Sequence, residues 1–188
     1  MINSVLYLIG GTCTGKTSLA RSLERKGWTW IRSITTRPPR TGETDEYKAW
    51  ISHTEFAALR ANDVLEFVRE YATHDAAWWY AFLKEDLVFE PNKRYVIIGD
   101  PVSARTAMQL YGPPLLLYAR DTVVISRLKA RGCSDEFIHQ RLAKDYEDFG
   151  RLETLVGGDS VFAGWAAKNE NHEDRTKILN WLDERFPE

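Results

Sequence analysis

Eight consecutive residues, Gly10-Gly11-Thr12-Cys13-Thr14-Gly15-Lys16-Thr17, satisfy the pattern G-x-x-x-x-G-K-[ST] at every position. A loop of this type turns its backbone N–H groups inward onto a polyphosphate. Glycine permits that path, and the N-terminus of the helix that follows adds the positive end of its dipole. Lys16 then reaches the outer phosphates, and the Thr17 hydroxyl binds Mg²⁺. A chance glycine-rich turn would lack the two flanks found here, an apolar strand pattern before the loop and a helical pattern after it. The expectation is a nucleoside triphosphate site built from Gly10, Gly11, Thr12, Cys13, Thr14, Gly15, Lys16, Thr17 and Ser18.

A second set of residues suits a smaller anion. Arg37 and Arg40 stand three apart on a segment stiffened by Pro38-Pro39, with Tyr47 close behind. A monophosphate carries about two negative charges near neutral pH, and two guanidinium forks can meet it. A solvated basic loop is the competing account. Downstream, Arg127 and Arg131 are four apart and share a helix face, and Arg141 lies on the next helical segment. They supply the charge that phosphoryl transfer demands, or they are simply solvated helix faces. Glu66 interrupts an apolar strand and either faces water or meets a ligand. Asp100 ends a buried strand at its carboxyl edge. It either caps the next helix, with Pro101 at the first helical position, or faces the ligand crevice.

The run Ser33-Ile34-Thr35-Thr36-Arg37-Pro38-Pro39-Arg40-Thr41-Gly42-Glu43, with Tyr47 four residues later, resembles the acceptor segment of guanylate kinases. Leu65-Glu66-Phe67 resembles that family's acidic strand, Ile98-Gly99-Asp100 its aspartate-containing strand end, and Arg127-Leu128-Lys129-Ala130-Arg131-Gly132 its lid. The order holds from about residue 5 to 145. The resemblance implies an ATP-dependent kinase that uses Mg²⁺ and phosphorylates GMP or dGMP. It assigns Arg37, Arg40, Tyr47 and Tyr80 to the acceptor phosphate, Ser33 and Glu66 to the guanine, and Asp100 to a magnesium-bound water or the acceptor. Lys16, Arg127, Arg131 and Arg141 go to the transferring phosphates, and Asn169 to the border of the donor adenine. A carboxylate at Glu66 matches the two N–H donors on guanine's Watson–Crick edge.

The chain also departs from the family. Trp79-Tyr80-Ala81-Phe82 replaces Tyr-Tyr-Gly-Ser/Thr, so a base-recognising hydroxyl is lost at Phe82. Ile98 replaces an aspartate and Ser103 a glycine, and the stretch 71–78 is longer than the family's. These departures keep a second reading open, a P-loop phosphotransferase with a changed acceptor such as a modified deoxynucleotide or a ribose phosphate. A third is a non-catalytic binding module of the same fold. Against it, Gly10, Gly15, Lys16, Thr17 and the three lid arginines are all retained.

The elements that must position these residues follow from hydrophobic pattern. Continuous apolar runs at 5–9, 95–98 and 115–118 read as buried strands, 28–34 as another, and 16–26, 103–110, 122–130, 135–155 and 173–186 as helices. This alternation predicts an α/β three-layer sandwich around a central parallel sheet. Residues 35–91 break the alternation and read as an acceptor-binding insert with a small mixed sheet. Within it, 35–45 reads as loop, 47–52 and 64–71 as strands, and 54–60 and 83–89 as helices. The core is then 1–34 and 92–188, with a helical lid at about 121–145. A last strand is expected at 161–165.

Composition sets the outer bounds. The chain has 188 residues, enough for one domain, or a core with a small mobile insert, that needs no disulfide or structural metal. Its 25 basic and 27 acidic side chains leave a net charge of −2, which disfavours a nucleic-acid polymer as partner. Two cysteines form no framework, and the four histidines show no ligand spacing. No run is long enough for a membrane span or a signal segment, so a cytoplasmic location, as monomer or homodimer, is expected. Trp78-Trp79 reads as core packing or as a stacking platform for a base.

Overall fold

The computed structural model describes residues 4–40, 42–72, 77–150 and 165–187. Its centre is β1 (Ser4–Gly10), a strand apolar on both sides and therefore able to lie only inside a covered sheet. β2 (Thr29–Ile31), β7 (Arg94–Ile98), β8 (Leu115–Tyr118) and β9 (Ala166–Lys168) join it in the order β2-β7-β1-β8-β9, every pairing parallel. Leu6 and Leu8 pack on Leu19 and Leu23 of α1 (Lys16–Glu24) and on Ile178 and Leu182 of α6 (His172–Arg185). Val5, Tyr7 and Ile9 point the other way, onto Ala104 and Ala107 of α3 (Pro101–Tyr111). Helices on both faces of a parallel sheet make the expected three-layer sandwich. α4 (Asp121–Ala130) and α5 (Asp135–Phe149) follow β8 and close on a small apolar cluster of Val124, Leu128 and Ile138.

A second sheet holds β3 (Ile34–Thr35), β4 (Ala49–Trp50), β5 (Leu65–Ala72) and β6 (Ala77–Leu83) in the order β4-β3-β6-β5. One face packs Ile34, Leu65 and Ala81 against Phe56 of α2 (His53–Ala61). The start of α2 is fixed by a capping box between Ser52 and Glu55. The other face carries the cross-strand row Trp50, Thr35, Tyr80 and Arg69. Phe82 of this second sheet packs with Tyr7 and Phe67 in the same core cluster, so this face turns toward the central sheet.

Several elements differ from the sequence expectation. The strand at 28–34 is two strands: Arg32 and Ser33 interrupt it, and Ile34 crosses into the second sheet. The helix at 83–89 is absent. Its first residue ends β6, and only a single 3-10 turn, Lys84–Leu87, follows. The aromatic run Trp78-Trp79-Tyr80 pairs with β5, where bulky side chains fit a pleated surface. α5 ends at Phe149, with Gly150 at its C-cap. Residues 151–155 and 161–164 lie outside those described, and β9 begins at Ala166.

The join between the two sheets leaves no spare room. A Cβ on Gly99, just after β7, would lie 1.9 Å from the Tyr7 hydroxyl oxygen and 2.2 Å from its ring. Tyr7 is 1% exposed and cannot swing aside. Gly99→Ala is therefore expected to destabilise by about 1–3 kcal/mol, the range for overpacking a dense core. Urea titration checks this: the midpoint falls while the slope stays unchanged.

Candidate functional site

The loop between β1 and α1 is drawn tight by its own carbonyls. Lys16 Nζ donates to the Gly10 and Gly11 oxygens at 2.8 and 2.7 Å, and Thr14 Oγ1 donates to the Gly11 oxygen at 2.9 Å. Gly15 holds φ at +91°, in the left-handed region, and a Cβ there would meet Asn169 Nδ2 at 2.4 Å. Asn169 itself is fully buried, and its Nδ2 donates to the Thr14 carbonyl at 2.8 Å. Here this residue braces the back of the loop, and its Oδ1 has no hydrogen-bond partner. Thr17 and Ser18 occupy the first turn of α1.

α5 lies over the open side of the loop. Asp145 Oδ2 accepts from the Thr12 backbone N–H at 2.6 Å, so a carboxylate sits against the phosphate loop. Its burial raises the Asp145 pKa, while the Arg141 and Lys16 charges and the Thr12 bond oppose the rise. A small pocket opens between Gly11, Thr12 and Thr14 of the loop, the end of β8, and Leu142, Asp145 and Tyr146 of α5. Lys16 is pulled down to about 8, chiefly by desolvation; Asp145 partly offsets this, and the nearby positive Arg141 and Arg131 add to the fall.

The lid arginines divide. Arg127 donates from Nη1 to the Cys13 oxygen at 2.7 Å and from Nη2 to the Glu170 oxygen at 2.7 Å, with both nitrogens 3.2 Å from the Asn169 oxygen. Its guanidinium ties the loop to the end of β9. Arg131 is exposed at the C-cap of α4, within electrostatic reach of Lys16 and Glu46. Arg141 lies 3.9 Å from Asp145 and 4.5 Å from the Tyr71 ring centroid.

The acceptor candidates gather on the second sheet and the loop that follows β3. Arg37 is buried and grips Glu43 with Nη2 at 2.7 Å to both carboxylate oxygens, and Nη1 reaches the Pro38 carbonyl at 2.8 Å. Glu43 keeps Arg37 charged against its burial and is itself held below the usual carboxylate range. Arg40 is exposed, its Nη1 3.9 Å from the same carboxylate. The Tyr47 ring stands 5.3 Å from the Arg37 guanidinium and 6.0 Å from the Tyr80 ring. Ser33 is half-buried between β2 and β3, its carbonyl accepting from the Lys48 N–H at 2.8 Å. Asp100 caps α3, accepting from the Val102 and Ser103 N–H groups at 2.8 and 3.1 Å and from Ser103 Oγ at 2.5 Å. Glu66 pairs across the strands with Phe82, on the face turned toward the central sheet, and its charge adds to burial in raising Tyr111. Of the paired tryptophans, Trp79 packs on Phe56 and Trp78 on His53.

A solved structure of guanylate kinase from Anaplasma phagocytophilum superposes with a TM-score of 0.67 at 16% identity, covering 100% of this chain and 88% of that one. The chain has the P-loop kinase fold. Shikimate kinase from Bacteroides thetaiotaomicron is more distant, with a TM-score of 0.49 at 15% identity over 97% of each chain. No family model matches the chain, and no curated protein matches it in sequence. Among the described residues, no helix is long and apolar enough to cross a membrane, and no cluster of three His, Cys, Asp or Glu could hold a metal.

Two site groups escape sequence reading. Asp145 and Arg69 belong to no motif, and only the docking of α5 sets Asp145 against the loop and Asp148 against Arg69 of β5. The signal available in sequence was the spacing of Arg141, Asp145 and Asp148 on one helix face.

The depressed Lys16 has a measurable consequence. Between pH 8 and its ordinary value near 10.5, the unfolded chain binds a proton that the folded chain does not. Stability therefore rises with pH across that window, and the cost of charging Lys16 is fully present below it. Denaturant titrations from pH 8 to 9.5, below the range where tyrosines ionise, should show this rise in the wild type. Lys16→Met should lack it.

Proposed function

We propose that the chain is an ATP-dependent kinase of nucleoside monophosphates, with GMP or dGMP as acceptor. The observation that supports this reading is a pair of clusters whose residue types suit anions. One is the phosphate loop with Lys16. The other is Arg37 and Tyr47 of the loop between β3 and β4 together with Tyr80 of β6, and α5 meets the phosphate loop through Asp145 and the second sheet through Arg141 on Tyr71. Phosphoryl transfer needs positioning and charge neutralisation more than covalent work, and arrays of this kind supply both.

In this reading the loop N–H groups and Lys16 hold the donor phosphates, and nucleotide binding displaces Asp145 from Thr12. Arg40 and Tyr47 grip the acceptor phosphate. Arg37, its charge fixed by Glu43, keeps Tyr47 in place and presents the remaining edge of its guanidinium. Arg131 and Arg141 meet the transferring group. The acceptor oxygen is already an anion, so no side chain has to remove a proton. The Thr17 hydroxyl and the nucleotide's own phosphate oxygens form an all-oxygen donor set that fits Mg²⁺. When bound, that ion neutralises charge on the outer phosphates.

The base reader is Glu66. One observation favours a changed acceptor: Phe82, where the resemblance leads one to expect a hydroxyl, is 4% exposed and packed in the core beside Glu66's strand. Base recognition then rests on fewer polar groups, and a modified deoxynucleotide or a ribose phosphate becomes the rival acceptor.

An ADP-release assay across GMP, dGMP, dTMP, dUMP and ribose bisphosphate separates these readings. Turnover of GMP or dGMP is expected; turnover of a pyrimidine nucleotide alone would sink the guanine assignment. Arg40→Ala should raise the acceptor KM about 10- to 100-fold, the worth of a charge-assisted hydrogen bond, and leave the melting temperature unchanged. Arg37→Ala should raise the same KM and also destabilise by about 3–5 kcal/mol, because it strands the buried Glu43 carboxylate.

A further inference from the structure

α5 presents two carboxylates one turn apart, and each faces a cation or donor on another element. Asp145 meets the phosphate loop, at 2.6 Å from the Thr12 N–H. Asp148 Oδ1 meets Arg69 Nη2 of β5 at 3.6 Å, and Lys144 Nζ also reaches Asp148 at 3.1 Å. The first of these carboxylates sits where a phosphate loop would hold an anion. The second faces the Arg69 guanidinium of β5, with Lys144 of its own helix as the closer partner.

Arg69 reaches that place through an irregularity in β5. Glu66 pairs with Phe82, but Arg69 pairs with Tyr80, so three residues of β5 oppose two of β6. Phe67 takes up the extra residue with φ at +50°. This is a β-bulge, and bulges re-aim the side chains beyond them. Regular alternation would put Arg69 on the face opposite Glu66. The bulge brings it onto Glu66's face, beside Tyr80, in the row that runs toward Tyr47 and Arg37. There the guanidinium lies between two carboxylates without a close bond to either: Nε is 3.9 Å from Asp100 Oδ1, and Nη2 is 3.6 Å from Asp148. Nε is buried and has no hydrogen-bond partner. A buried guanidinium N–H left unpaired is costly, and an oxygen anion entering beside it would remove the cost.

We infer that Arg69 is a further phosphate-binding arginine of the acceptor cleft, contacting the acceptor's phosphate from the side facing the phosphate loop, with Asp148 holding its place when the cleft is empty. The inference rests on the proposed monophosphate acceptor. It adds a catalytic residue that belongs to neither the acceptor loop nor the lid.

Calorimetric titration of GMP and dTMP, and of guanosine and thymidine, tests it on the wild type and on Arg69→Gln, Arg69→Lys and Asp148→Asn. Arg69→Gln should weaken binding of the monophosphate about tenfold or more and leave the matching nucleoside and ATP unchanged. Arg69→Lys should recover part of the loss, and Asp148→Asn should strengthen monophosphate binding by freeing the arginine. Equal weakening of monophosphate and nucleoside would make Arg69 a structural tie between sheet and helix, and the inference falls. It falls equally if Arg69→Gln does not fold and Asp148→Asn leaves monophosphate affinity unchanged. A wild type that binds ATP but neither monophosphate overturns the functional reading itself, a different signature from either.

Discussion

Backbone N–H groups turned inward by a glycine-rich loop need an acceptor, and Thr12 finds one in the chain's own Asp145, 2.6 Å away. That contact organises the surroundings. It brings α5 down over the loop, with Arg141 one turn before the carboxylate and Asp148 one turn after it. Arg141 is thereby set against the Tyr71 ring and Asp148 against Arg69, both residues of the second sheet. One carboxylate–amide bond thus links the glycine-rich loop, through α5, to the second sheet. A polyphosphate competing for the same N–H would loosen all three contacts together.

Beneath that bond lies the double-sided burial of β1. A strand apolar on both faces must sit between helices, and its carboxyl end then opens at the sheet edge where ligands of α/β folds bind. The same edge receives Asp100 from β7, which caps α3 and lies 3.9 Å from Arg69. Packing thus sets the direction in which the chemistry faces. Asn169, from the end of β9, braces the loop from behind, and Arg127 stitches the same two segments through carbonyls.

Local signals in the sequence were the ones most easily read. The phosphate loop is legible because eight adjacent residues specify it, and the central strands because apolar runs of that length have few other fates. Ser33 to Tyr47 stands out as a candidate anion-binding segment for the same reason, its residues being close in the chain. The strand Ala77–Leu83 was not, because an aromatic run without alternation fits strand and helix alike until β5 is there to pair with it. The bulge at Phe67 carries no glycine to announce it, so strict alternation along the strand, which would set Phe67 and Arg69 on the face opposite Glu66, fails just at that point. Asp145 and Arg69 acquire meaning only when α5 docks. The spacing of Arg141, Asp145 and Asp148 marks a charged helix face, but not what that face docks on.

The arginines of the site are sorted by how well they are already satisfied. Arg127, bonded to three carbonyls, has little left to offer a ligand without loosening the loop it braces. Arg37 is half committed: two short bonds to Glu43 fix its plane and charge, and its buried position makes it as much a structural cation as a binding one. Arg69 and Arg141 face carboxylates at 3.6–3.9 Å, too far for a hydrogen bond, so their pairing is chiefly Coulombic. A phosphate at hydrogen-bond distance outcompetes such contacts, because charge-assisted bonds are short and directional. The strength of each arginine's present bonds thus separates those that shape the cleft from those able to turn toward what enters it.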